Sequence, residues 1–116
     1  MKLKVTVAII SLFATFITVF SSSAIAAGDA ATGQTLYATC GACHGANGEG
    51  LEVLGSPALA GQEEWYIIRQ LENFKTGARG SDPRDIYGMQ MAPMAQILPT
   101  PQAMEDVAAY IATLGQ

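Results

Sequence analysis

Hydrophobic and polar residues are patterned in several distinct ways along this chain, and each pattern predicts a different kind of segment. From Val5 to Phe20 the chain is almost unbroken apolar sequence, interrupted only by Thr6, Ser11, Thr15 and Thr18. Lys2 and Lys4 precede this run, and Ser21-Ser22-Ser23 followed by Ala24-Ile25-Ala26 come after it. A basic start, an apolar middle and small residues three and one before a cut make the layout of a secretory signal. The run falls short of the roughly 20 residues that a membrane-spanning helix prefers. Residues 1–26 are therefore expected to be removed on export, with residues 27–116 as the functional domain. Cleavage one residue later and an uncleaved membrane anchor are the alternatives.

Beyond residue 26 the spacing predicts helices and no strands. Asp29 to Cys40 reads as a helix with Asp29 as its N-cap. Gly33 and Tyr37 lie four apart, so they share a face on which another helix can approach closely. Gln62 to Thr76 reads as a second helix, with Trp65, Ile68, Leu71 and Phe74 as its apolar stripe. Thr100-Pro101 opens a last helix, a capping hydroxyl followed by proline at the first helical position. Val107, Tyr110, Ile111 and Leu114 form its stripe, and it is expected to cross the first helix near Gly33 and Tyr37. Between these elements, glycines at 45, 48, 50 and 55 predict a loop from Cys43 to Ala60. Ser81 to Pro99 reads as irregular. The fold class expected is all-α, three to four helices in one small domain.

Composition sharpens the picture in two places. Half of the 116 residues are hydrophobic, but the amino-terminal run inflates that share. The remaining domain, about 90 residues after cleavage, is small enough to be marginal without a covalent or cofactor staple. Charge is the second point. Without Lys2 and Lys4, four basic residues stand against ten acidic ones, a net charge of −6. An acidic surface argues against nucleic acid, which selects basic stripes, and suits docking to partners with basic patches.

The candidate chemistry is concentrated in five residues, Cys40-Gly41-Ala42-Cys43-His44. They hold both cysteines and the only histidine of the chain. Cys-x-x-Cys-His is the attachment pattern of c-type haem. Each thiol can form a thioether with one vinyl group, and His44 can supply an axial nitrogen to the iron. A thioredoxin-like pair would want a strand–turn–helix context. A disulfide across two residues is strained, and a closed zinc site needs four ligands where three candidates exist. The Pro57 carbonyl is the candidate acceptor for the second nitrogen of His44, an interaction that orients the ring; a purely loop-shaping Pro57 is the alternative. Met89, Met91 and Met94 lie within six residues. Methionine is usually a gap-filler, but a thioether is also the natural sixth ligand opposite histidine in an electron carrier. A haem would serve as the staple, so the apo-chain is expected to be largely unfolded.

With these segments in order, the chain resembles class I c-type cytochromes, most closely the small bacterial periplasmic monohaem type and single halves of the dihaem ones. The residues that carry the resemblance are Gly33-x-x-x-Tyr37, Cys40-x-x-Cys43-His44, Pro57 to Gln62, Gln70-Leu71 with Phe74, Met91-Ala92-Pro93-Met94 and Ala108 to Ile111. The resemblance implies a cytochrome c-like fold, helices wrapped around one covalently attached haem c, with histidine and methionine on opposite faces. In similar sequences the ligand methionine lies seven residues before the leucine that closes its loop. Leu98 then implies Met91, with Met94 and Met89 as the alternatives. Pro99 to Gln102 is one residue longer than in such relatives, and this keeps Met94 open.

The function implied is a periplasmic one-electron carrier of a bacterial respiratory chain, cycling iron between Fe(II) and Fe(III). It is not an enzyme, since six-coordinate iron offers substrate no open position. Its partners would be a redox donor and an acceptor, with membrane contact only through partner complexes or an uncleaved signal, and the chain itself a monomer. The competing reading is a haem c subunit held permanently by a dehydrogenase or a terminal oxidase. A five-coordinate sensor and a peroxidase fit less well, because the motif comes early in the chain and occurs once.

Overall fold

The computed structural model describes residues 27–115, so the expected signal at 1–26 lies outside the described residues. Four α-helices follow one another in that span: α1 (Ala30–His44), α2 (Glu64–Thr76), α3 (Ile86–Ala95) and α4 (Pro101–Thr113). A 3₁₀ turn at Glu52–Leu54 interrupts the long link between α1 and α2. No strand occurs among the described residues, and the domain is all-α.

The frame is the crossing of α1 and α4, with α2 packed on α4 and α3 on α2. The small side chains of α1 give it little amphipathic pattern, so close approach rather than a stripe holds it. A Cβ at Gly33 would overlap the Asp106 carbonyl of α4. One turn on, the Tyr37 ring packs 5.3 Å from Tyr110. The crossing falls at the expected pair. The entry to α1 is tied as well. Asp29 caps it by accepting from the Ala31 N–H, and the Asp29 N–H donates to the buried Asp106 carboxylate at 2.8 Å. Thr100 caps α4 by accepting from the Ala103 N–H, with Pro101 at the first helical position.

Several boundaries and one whole element differ from the sequence reading. The first helix does not stop at Cys40; it runs through the haem motif to His44 and ends at Gly45, whose φ of 84° is costly for any side chain. The second helix begins at Glu64 rather than Gln62. Its buried stripe is Ile67, Leu71 and Phe74, with Ile68 beside it, whereas Trp65 is 56% exposed. A series spaced only by threes drifts backwards by about 60° per step, which carries Trp65 to the outer face. There it packs on Arg69, whose guanidinium lies 4.7 Å from the ring centre. The largest difference is α3, in a stretch expected to be irregular. Asp85 starts it by accepting from the Gly88 N–H at 2.9 Å. Gly88 and Pro93 inside the helix and apolar residues on every side hid its period.

Candidate functional site

The helices enclose one large cavity of about 520 Å³. That lies within the usual range of about 300–1,000 Å³ for cofactor sites. Its walls are apolar: Leu59 from the loop, Ile67, Leu71 and Phe74 from α2, Leu98 from the α3–α4 link, and Val107 and Ile111 from α4. The same residues form much of the hydrophobic core. The core of this small domain is thus built around a space, as the staple argument requires.

Cys40, Cys43 and His44 line the cavity from the last turns of α1. Both thiols are free, Cys43 exposed and Cys40 half-buried. Burial, the foremost cause, pushes the Cys40 thiol above its ordinary range. The negative end of the helix dipole also opposes a thiolate here. Thiol–disulfide exchangers have the opposite arrangement, a helix N-terminus and a lowered pKa.

His44 is buried, and its Nδ1 lies 2.8 Å from the Pro57 carbonyl oxygen. A carbonyl only accepts, so Nδ1 is the donor, and in the neutral ring Nε2 keeps its lone pair. The turn that delivers Pro57 is closed by reciprocal bonds between Leu51 and Ser56, N–H to carbonyl at 2.9 and 3.1 Å. The helix end beneath His44 is also secured. The Tyr37 hydroxyl donates to the Gly45 carbonyl at 2.8 Å, and burial pushes the hydroxyl up to about 12.

Across the cavity, α3 contributes Met91 and Met94. Met91 is half-buried and packs against the core, whereas Met94 is 36% exposed. Met89 is exposed and is not part of the lining. Arg79 and Tyr87 are polar elements of the wall that escaped the sequence reading, as did Tyr66, Asp85 and Gln90. Among the described residues, Arg79 is the only cation of the lining; it lies 4.7 Å over the Phe74 ring and donates to Gln70 at 2.8 Å. Tyr87 lies over Gly55, where a Cβ would overlap its ring, so α3 and the 3₁₀ turn meet at the cavity rim. No periodic signal marks Arg79 or Tyr87, because each reaches the cavity from an exposed loop or a helix end. The donor set suits a covalently held porphyrin: two thiols, an imidazole with a free nitrogen, thioethers from another helix, and apolar walls between them.

Comparison with known proteins shows the family. The family model described as Cytochrome c matches residues 30–115. A cytochrome c4 from Stutzerimonas stutzeri is 40% identical over 90 residues, covering 76% of this chain and 42% of the relative. A cytochrome c-554(547) from Halothiobacillus neapolitanus is 41% identical over 93 residues, covering 76% of this chain and 99% of the relative. The crystal structure of reduced recombinant cytochrome c4 from Pseudomonas stutzeri superposes with a TM-score of 0.57 at 41% identity, over 73% of this chain and 45% of that one. The chain therefore spans about two fifths of the cytochrome c4 relative's length.

Proposed function

This chain belongs to the cytochrome c family, and from that premise we propose that it is a periplasmic one-electron carrier of a bacterial respiratory chain, ligated by His44 and Met91. Haem c is the covalent cofactor of the family, and when bound it supplies an iron that takes up and returns one electron. Everything else is the work of the chain's own side chains. Cys40 and Cys43 anchor the group at the end of α1. His44 offers Nε2, while its proton on Nδ1 is held by Pro57, which fixes the ring and strengthens its donation. Met91 offers a thioether, a ligand that favours the reduced metal. Leu59, Leu71, Leu98 and Val107 keep water from the space between them. Arg79 offers the one cation of the wall to the carboxylates that a haem carries.

The observation that carries this reading is that the thiols and imidazole of α1 and the thioether of α3 line a single apolar cavity. Met91 is favoured over Met94 because it is the less exposed and packs on the core. Ligands held on both sides would leave the chain without catalysis of its own. Export rests on the layout of residues 1–26. Gly28, two residues past the expected cut, packs on the Glu105 backbone of α4. Among the described residues, no helix is long and apolar enough to cross a membrane. The partners proposed are a redox donor and an acceptor with basic patches, matching a domain net charge of −6.

The oxidised holoprotein should show the weak near-infrared sulfur-to-iron band. Met91→Ala should abolish it and Met94→Ala should leave it. The reverse outcome would overturn the ligand assignment. A second reading, a haem c subunit held permanently in a larger enzyme, draws support from exposed Val53, Ile86 and Tyr87 on or beside the cavity rim. A gel-filtration mass above that of the monomer would favour it.

A further inference from the structure

The junction between α3 and α4 is short of hydrogen-bond donors. A helix ends with its last four carbonyls unpaired within the helix. Pro99, the residue placed to serve Ala95, carries no N–H, and neither does Pro101, which could otherwise serve Leu98 in the link that follows. The chain closes part of the gap with Gln96 donating to Pro93, Ile97 to Met94 and Leu98 to Ala95, at 3.2, 3.3 and 3.3 Å. Among the described residues, no backbone N–H reaches the carbonyl of Leu98.

Lys75, in the last turn of α2, fills that gap. Its Nζ lies 2.5 Å from the Leu98 carbonyl and 3.4 Å from that of Ala95. The Gln96 side-chain amide returns a bond to the Lys75 carbonyl at 3.2 Å. The ammonium makes no ion pair among the described residues. It sits instead at the C-terminus of α3, where the helix dipole favours a cation. Leu98 is 2% exposed and lines the cavity together with Met91, so the anchored segment is continuous with the ligand-bearing helix.

We propose that Lys75 is a positioning residue for the iron ligand: through the Leu98 and Ala95 carbonyls its ammonium holds α3 against α2 and keeps Met91 seated in the cavity. The proposal rests on the reading of Met91 as the axial ligand. Without Lys75 the Leu98 carbonyl loses a charged donor, and the α3 segment should swing away more often. The increase in the open state is about ten- to a hundredfold, the range for a hydrogen bond from a charged donor.

Imidazole titration of the oxidised holoprotein reads this opening directly, because imidazole reaches the iron only after the thioether leaves. Lys75→Met should bind imidazole about ten- to a hundredfold more tightly than wild type. Lys75→Arg, which keeps a charged donor, should stay within about threefold. If Lys75→Met fails to fold, Lys75→Gln replaces it and should bind about tenfold more tightly. Asp29→Ala, which loses the distant cap of α1, controls for general destabilisation and should leave imidazole affinity unchanged. Wild-type affinity in Lys75→Met and Lys75→Gln would overturn the proposal, and so would an equal rise in Asp29→Ala. The sulfur-to-iron band separates the two layers. If Met91→Ala abolishes it while Lys75→Met and Lys75→Gln bind imidazole as wild type does, the ligand reading stands and the positioning role falls. A wild type without the band removes both.

Discussion

Removing the hydroxyl of Tyr37 tests how the end of α1 that carries His44 is held. The ring is 3% exposed, and its oxygen donates to the carbonyl of Gly45, the residue that ends α1 directly after His44. Tyr37→Phe keeps the ring against Tyr110 and removes only the donor. The Gly45 carbonyl is not orphaned, because the Gly48 N–H also reaches it at 3.1 Å. The cost at pH 7 should therefore lie at the low end for a buried hydrogen bond, about 1 kcal/mol. High pH reverses the ranking. Burial raises the folded-state pKa of Tyr37 from 10.0 to about 12. Below about pH 10 the hydroxyl is neutral in both states and adds no pH dependence. Above it the unfolded chain loses its proton first, so wild type loses stability as the pH rises from about 10 to 12, by about 1–2 kcal/mol once the charge of a free Cys40 thiolate, absent from a thioether, is discounted. The phenylalanine variant has no such loss. Urea unfolding of both holoproteins at pH 7, 9, 10 and 11, followed by haem absorbance, should show the wild-type advantage fading and vanishing near about pH 11. A difference that stays constant over that range would refute the placement of this hydroxyl away from water.

Two further outcomes follow from the same packing. Gly33→Ala should cost about 3 kcal/mol despite the better helix propensity of alanine, because the new Cβ meets the Asp106 backbone, which cannot rotate aside; calorimetry of the holoprotein checks it, and an unchanged melting temperature would mean that α1 and α4 do not cross there. Replacing Cys40 and Cys43 together by Ala should yield no cooperatively folded domain, since the core residues line the cavity rather than fill it; a sharp, cooperative melt of that variant by circular dichroism would contradict the staple argument.

The parts of the fold legible in the sequence are those set by local chemistry. Asp29 and Thr100 are capping residues wherever a helix begins, and they cap here. Gly33 with Tyr37 marked the crossing because only a residue without a side chain permits such approach. The parts that were not legible depend on neighbours. The helical period of α3 is masked by Gly88, Pro93 and apolar residues all round, and the one visible cue was Asp85 standing three residues before Gly88. Trp65 has the composition of a core residue but faces outward, since the position of α4 decides which side of α2 is inside. Arg79 and Tyr87 reach the cavity from exposed positions, which no spacing rule anticipates.

Sequence alone determined the chemistry: two thiols and one imidazole in five consecutive residues, with a group of thioethers downstream, because covalent reactivity and ligand type belong to residues themselves. Tertiary structure decided the assembly. It turned the core into a cavity, placed Met91 on its lining and Met89 outside, set the Pro57 carbonyl against His44, and brought Lys75 onto a carbonyl 23 residues away. Those are long-range relations, settled by which helices pack together, and helix packing follows from the summed burial of many side chains rather than from any one stretch of the chain.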